Sequence, residues 1–212
     1  MQLLEHPWGI AVTGRGSVEA EPDLARIRFR ITRTEQTPAA AFDAARTAVR
    51  TVRAVLRDHG IDDAAVRASR LDLATVTDYV NGTSAVVGYR CQAAFAVRSG
   101  ALDDVEPLLV DVVAAGANEI ESVAFDIADG GALRDEARRR AVAAARAKAE
   151  LYAGAVGARV GAVLHVEDAD PDQPGVRHAV LAAAVPEGGP DLAPGRLLVE
   201  AAVLVGYALS RD

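Results

Sequence analysis

The side chains able to do chemistry are few and scattered along the chain. No two of the four histidines, His6, His59, His165 and His178, stand at a spacing that lets one element present a metal pair, and Cys91 is the only cysteine, so a nitrogen- and sulfur-bound metal has no local seed. Asp62-Asp63 and Asp103-Asp104 are adjacent pairs whose side chains diverge, which suits helix caps better than an acid/base pair. Gly14-Arg15-Gly16 lies within a strand-like stretch with no helix behind it, so it lacks the context of a phosphate cradle. There is no Gly-x-Ser-x-Gly, and the one lysine, Lys148, follows no glycine-rich loop. No catalytic residue, metal ligand or cofactor is expected.

Three features stand out as candidate binding or interface positions. Arg26, Arg28 and Arg30 alternate with Ala25, Ile27, Phe29 and Ile31, which puts three guanidinium groups on one strand face. Such a row can hold an anion or an acidic partner, or form a solvated face paired with nearby acids; Arg30 is the first to suspect. Lys148 falls in the alanine-rich half of a long helical pattern, where its ammonium must snorkel out, meet an acceptor, or face a second subunit or a ligand. Tyr89, on an alternating strand, completes the set. His59, just before Gly60, stands in the last turn of a helix, where its positive form favours the helix dipole.

The elements that must position these residues read clearly. The chain has 212 residues, enough for one sizeable core, and carries net charge −7 with 22 arginines; that balance disfavours a general nucleic-acid binder. No run of 18 apolar residues marks a membrane span. The first residues, MQLLEHPWGIAV, show no basic start, long apolar run or cleavage site, which predicts a cytoplasmic chain. Cys91 falls on an apolar strand face and reads as a core residue.

Alternation predicts strands at Gly9 to Ala20 and Ala25 to Ile31, then a helix that starts at Thr37-Pro38 and closes at His59-Gly60. A hairpin follows, Val66 to Val80 and Ala85 to Arg98 around Asn81-Gly82, with Val87, Tyr89, Cys91, Ala93, Phe95 and Val97 inward. Leu102 to Ala115 is a shorter helix ended by Gly116, with Asn118 as a left-handed turn residue. Glu119 to Ala128 is a strand. Leu133 to Gly157 is the long helix, with Leu133, Ala137, Ala141, Ala144, Ala145, Ala149, Tyr152, Ala155 and Val156 on its buried half. A strand at Ala162 to Asp168 precedes a segment rich in Pro, Gly and Ala, 169–195, read as a mobile loop or an arm whose apolar run Val180 to Val185 covers another subunit. The last strand, Arg196 to Leu209, is apolar on both faces. The order ββα, ββα, βαββ predicts an α+β fold with mainly antiparallel sheets and three helices, as a single domain over 8–209.

Taken together, GIAVTGRGSVEAEPDLARIRFRI, GYR at Gly88 to Arg90, AAGANEIESVAFDIAD and LRDEARRRAVAAARAKAELYA, followed by VGARVGAVLHVED and APGRLLVEAAV, resemble the SIMPL-domain family. That family includes bacterial periplasmic oxidative-stress-defence proteins and an immunogenic outer-membrane-associated protein. The resemblance implies an α+β fold, homo-oligomers that in some members are rings or hollow assemblies, and no established reaction. The expected role is therefore a non-enzymatic, self-assembling protein with a link to stress tolerance. The alternatives are an anion- or small-molecule-binding or hydrolytic module using Lys148 or the arginine row, and an adaptor for another protein.

Overall fold

In the computed structural model, residues 9–80, 83–169, 179–180 and 195–210 are described. His6, His178, the Asn81-Gly82 turn and 181–185 of the expected arm lie outside them. Eight strands and three helices follow one another as β1 (Gly9–Ala20), β2 (Leu24–Glu35), α1 (Pro38–Asp58), β3 (Val66–Val80), β4 (Thr83–Ser99), α2 (Val105–Ala114), β5 (Glu119–Asp126), α3 (Gly131–Ala155), β6 (Arg159–Asp168), the two-residue β7 (Ala179–Val180) and β8 (Leu197–Ser210). All strand pairs are antiparallel, and the order is the one expected of this α+β chain. The chain forms two compact units, one drawn from Met1–Glu21, Asp129–Glu187 and Gly195–Asp212, the other from Pro22–Ala128 with 188–194.

In the first unit β8 lies between β1 and β6; of its two apolar faces, the one carrying Leu197, Val199, Ala201, Val203, Val205 and Tyr207 is buried and the other is largely half-buried. Its register with β1 runs from Gly9 opposite Ala208 to Ala20 opposite Leu197 without a slip. Helix α3 covers this sheet with Ala137, Ala141, Ala145, Ala149 and Ala153, an i, i+4 row that is buried throughout. Glycine makes the contact possible. A Cβ at Gly14 would stand under 3.0 Å from the Ala141 carbonyl and the Ala145 amide, and one at Gly16 would do the same to the Ala137 carbonyl and the Ala141 amide. Helix backbone therefore rests on strand backbone, with only methyl groups between. The buried face is one row wide. Tyr152, Ala155 and Val156, expected on the buried half, are exposed, and Ala153 takes the inward place. A helix seated this close meets the sheet along one ridge, and positions to either side are lifted clear. Gly157 has φ +68 and ends α3, whereas Gly161 belongs to β6 and lies against Ala208.

The second unit is the sheet β3-β4-β2-β5 with α1 and α2 on one face. Ala25, Ile27, Phe29 and Ile31 of β2 and Ala93, Phe95 and Val97 of β4 meet Val52, Leu56, Val105, Leu108 and Val112 from the helices. Phe29 stacks on Phe95 directly across the register, at 5.0 Å between ring centroids. Helix α1 begins as its sequence predicts, with the Thr37 hydroxyl accepting from the Ala40 amide and Pro38 in the first turn. Val87 is exposed rather than inward, because β2 pairs with β4 only from Tyr89 to Ser99 and the hairpin runs on past its last neighbour. The left-handed turn after α2 is made by Gly116, φ +115, and the Asn118 amide instead serves β2: its Oδ1 accepts from the Thr32 amide at 2.7 Å and its Nδ2 donates to the Thr32 carbonyl.

Substituting Gly14→Ala or Gly16→Ala should cost at least the ~1–3 kcal/mol of an overpacked core, because backbone rather than a flexible side chain must move. Gly154→Ala, on the exposed face of α3 with open space around it, should instead stabilise by up to about 1 kcal/mol. Urea midpoints of the three variants check the contrast.

Candidate functional site

Lys148 belongs to the first unit and the arginine row to the second. Among the described residues β1 is an edge strand, and one row of its backbone groups has no strand partner. Lys148 Nζ donates to the Thr13 carbonyl at 2.6 Å, and Arg140 Nη1 donates to the Ser17 carbonyl at 2.8 Å. Eight helical residues rise about 12 Å, and four strand residues about 13 Å, so the two cations land on carbonyls that bracket Gly14 and Gly16. The Lys148 ammonium has thus found an acceptor, and the acceptor is the strand itself. Arg140 is an equal member of this clasp; the match between its spacing from Lys148 and that of Thr13 from Ser17 is the signal that identifies it. Glu136 orients Arg140 at 3.1 Å and Arg139 at 2.9 Å, and these hydrogen bonds hold its carboxyl below the usual glutamate range.

Arg26, Arg28 and Arg30 lie together on the sheet face opposite the helices. Arg26 pairs with Asp126, a buried carboxylate of β5. Arg30 pairs with Glu119 at 3.1 Å and also with Glu121, which leaves the residue first suspected the most neutralised of the row. Arg28 stands opposite Ala96 and Ser122, and among the described residues no acid lies within 4.0 Å of it. Arg98, which the strand pattern did not single out, is directly opposite Arg26. Two like charges in that position repel unless something anionic lies between or beside them. Tyr89 is not part of this face: it is half-buried against Ala41, Ala45 and Cys91 on the helix side. Burial pushes the Cys91 thiol up, as its core position requires.

His59 is more firmly held than helix capping needs. Its Nδ1 lies 2.7 Å from Asp104 Oδ2 and its Nε2 lies 2.9 Å from Asp111 Oδ2, so the ring ties the end of α1 to the start and middle of α2. Asp104 makes no side-chain cap at its own helix because its carboxylate turns to the histidine. Two acceptors require two N–H donors, which favours the imidazolium. The hydrogen bonds from Asp104 and then Asp111 raise the His59 pKa above the ordinary 6.5, against an opposing contribution from burial. With both ring nitrogens engaged, His59 is a latch, with no lone pair left for a base or a metal. His165 is exposed beside Glu167 at 3.5 Å. Among the described residues no group of three histidine, cysteine or carboxylate side chains is arranged to hold a metal ion, and no helix is long and apolar enough to cross a membrane.

A histidine whose pKa is higher folded than unfolded stabilises fully below the unfolded value, and that stabilisation fades as pH rises through the folded value. The stability difference between the wild type and His59→Gln should therefore be largest below pH 6.5, on the order of 1–2 kcal/mol, and shrink as the solution is made alkaline. Denaturant titrations at several pH values check it; a difference that grows with pH is the contrary result.

A family model described as SIMPL, protein of unknown function (DUF541), matches residues 10–207, which takes in strands of both units. The chain is 29% identical over 172 residues to the 26 kDa periplasmic immunogenic protein of Brucella abortus, covering 79% of this chain and 69% of that one. It is 31% identical over 169 residues to the uncharacterized protein YggE of Edwardsiella ictaluri, covering 78% and 71%, and 30% identical over 157 residues to YggE of Escherichia coli K12, covering 74% and 64%. With a family match across nearly the whole chain and relatives of that similarity, the chain belongs to the SIMPL family, whose members are described by a common sequence and not by a known reaction.

Proposed function

We propose that this protein acts by assembling with copies of itself and has no reaction of its own. The observation that carries the proposal is the apolar surface of the first unit. Leu151 and Val156 on α3 are 69% and 72% exposed, and Val163, Leu164 and Val166 are exposed on the neighbouring β6. Monomeric proteins seldom leave so many large apolar side chains in water on adjoining elements. The residues with reactive chemistry support the same reading: His59 is latched, Cys91 is buried, and Lys148 holds a strand carbonyl. A part in stress tolerance belongs to this proposal through the family resemblance. The word periplasmic in the names of the Brucella relatives favours the cell envelope as the setting over the cytoplasm expected from the first residues. Light scattering of the full-length protein should give a multiple of 22.1 kDa, and Leu151→Ser with Val156→Ser should lower that mass without lowering the melting temperature. A monomeric wild type ends the proposal.

One observation favours an anion-binding surface as a second reading. Arg28 has no acid within 4.0 Å among the described residues, and Arg98 lies on the same sheet face. Inorganic phosphate at constant ionic strength should raise the melting temperature by a few degrees, as ligands of the folded state do. Arg28→Ala should abolish the rise, while Lys148→Met, in the other unit, should keep it. Equal responses from wild type and Arg28→Ala count against this reading.

A further inference from the structure

The sheet edges of the two units are guarded unequally. The β1 edge is held by Lys148 and Arg140. Strand β5 is short, and its pairing slips at Arg28/Phe29; β6 slips twice, around Val163. Bulges and covering cations are the usual means of keeping an edge from pairing with another chain. Strand β3, the outer strand of the second sheet, is different. It is fifteen residues long, its irregularities lie at Val66/Ala68 and Val76/Thr77, and between them the ladder to β4 is regular. Among the described residues no hydrogen bond from another element reaches its outer side.

The side chains in that regular stretch are matched to a particular occupant. Arg70 and Asp72 lie on the solvent face of the sheet, 80% and 55% exposed, and pair with each other, Nε to Oδ2 at 3.1 Å. Between and beyond them, Leu71 and Leu73 point to the helix face opposite the buried Ala93 and Cys91, yet remain 43% and 46% exposed at the edge. A second β3, antiparallel to the first with Leu71 on the two-fold axis, sets Arg70 opposite Asp72 of the second copy and Asp72 opposite its Arg70. The two Leu71 side chains then meet on the other face. Such self-complementarity is what an isologous contact requires.

We infer that the β3 edge pairs with the β3 edge of a second copy, joining two four-stranded sheets through a register set by Arg70, Leu71 and Asp72. The inference rests on the self-assembly proposed above and gives it a surface. The experiment is light scattering of the full-length chain as wild type, R70D, D72R and the double exchange R70D/D72R, with a melting curve for each. Each single variant places like charges opposite each other at both ends of the pairing, and its mass should fall at least twofold. The double exchange restores opposite charges and should restore the mass. Each melting curve should remain a single cooperative transition, lowered only by the loss of the partner copy, because both side chains are solvent-exposed. A wild-type assembly whose mass neither single variant lowers overturns the β3 pairing and leaves self-assembly standing, as does a fall that the double exchange fails to reverse. A wild type of 22.1 kDa overturns both.

Discussion

The first unit depends on one contact, the backbone of α3 lying on the backbone of β1 at Gly14 and Gly16. With no Cβ on the strand and only methyl groups on the helix, the two elements approach until further side-chain volume has no place to go. The alanine row then follows: any larger residue at Ala141 or Ala145 would push the helix off. The width of the buried face follows as well, because a helix so close to a twisted sheet touches it along a single i, i+4 ridge. Alanine also keeps this long helix intrinsically favourable although its packed face offers little apolar area.

That closeness has an electrostatic side. Strand β1 has a free row of carbonyls, and α3 lies near enough for two long cationic side chains to reach over the edge and donate to it. Arginine and lysine are suited to this, since their apolar stems lie along the helix while their heads find oxygen. The second unit uses its cations in another way, holding β5 to β2 through Arg26–Asp126 and through Arg30 with Glu119 and Glu121. Net negative charge thus coexists with a locally basic sheet face, because the acids that balance the arginines sit largely on one neighbouring strand.

Element order and the Thr37-Pro38 helix start were legible in the sequence because each is a local pattern, a period or a cap. Gly14 and Gly16, two positions apart on one strand face, are the local signal of the close approach. What was not legible depends on distant partners. Nothing near Lys148 names a carbonyl 135 residues away, and nothing near His59 names carboxylates 45 and 52 residues on. The seven-residue spacing of Asp104 and Asp111, which puts both on one helix face, hints only that something lies between the helices. Val87 keeps the strand's alternation, but alternation cannot say where the neighbouring strand stops. Tyr152 and Val156 were misplaced for a related reason: a helical wheel gives the direction of the buried face, and its width is set by the surface opposite.

The polar groups best equipped for chemistry are thus already occupied with holding the fold. His59 has no free ring nitrogen, Lys148 and Arg140 complete a strand edge, Asp126 is buried under Arg26, and Cys91 lies in the core. A side chain fixed in that way loses the proton or lone pair that catalysis would use. Other groups are not satisfied by their local partners. Those are surfaces: exposed leucine and valine on α3 and β6, Arg28 on the open sheet with no acid within 4.0 Å among the described residues, and a strand edge with paired but exposed charges. Water satisfies the charges on such surfaces at little cost but leaves the apolar side chains unfavourably exposed. The strongest unmet demand of this fold is therefore for another apolar surface, which a second copy of the same chain can provide at equal concentration and in matching shape.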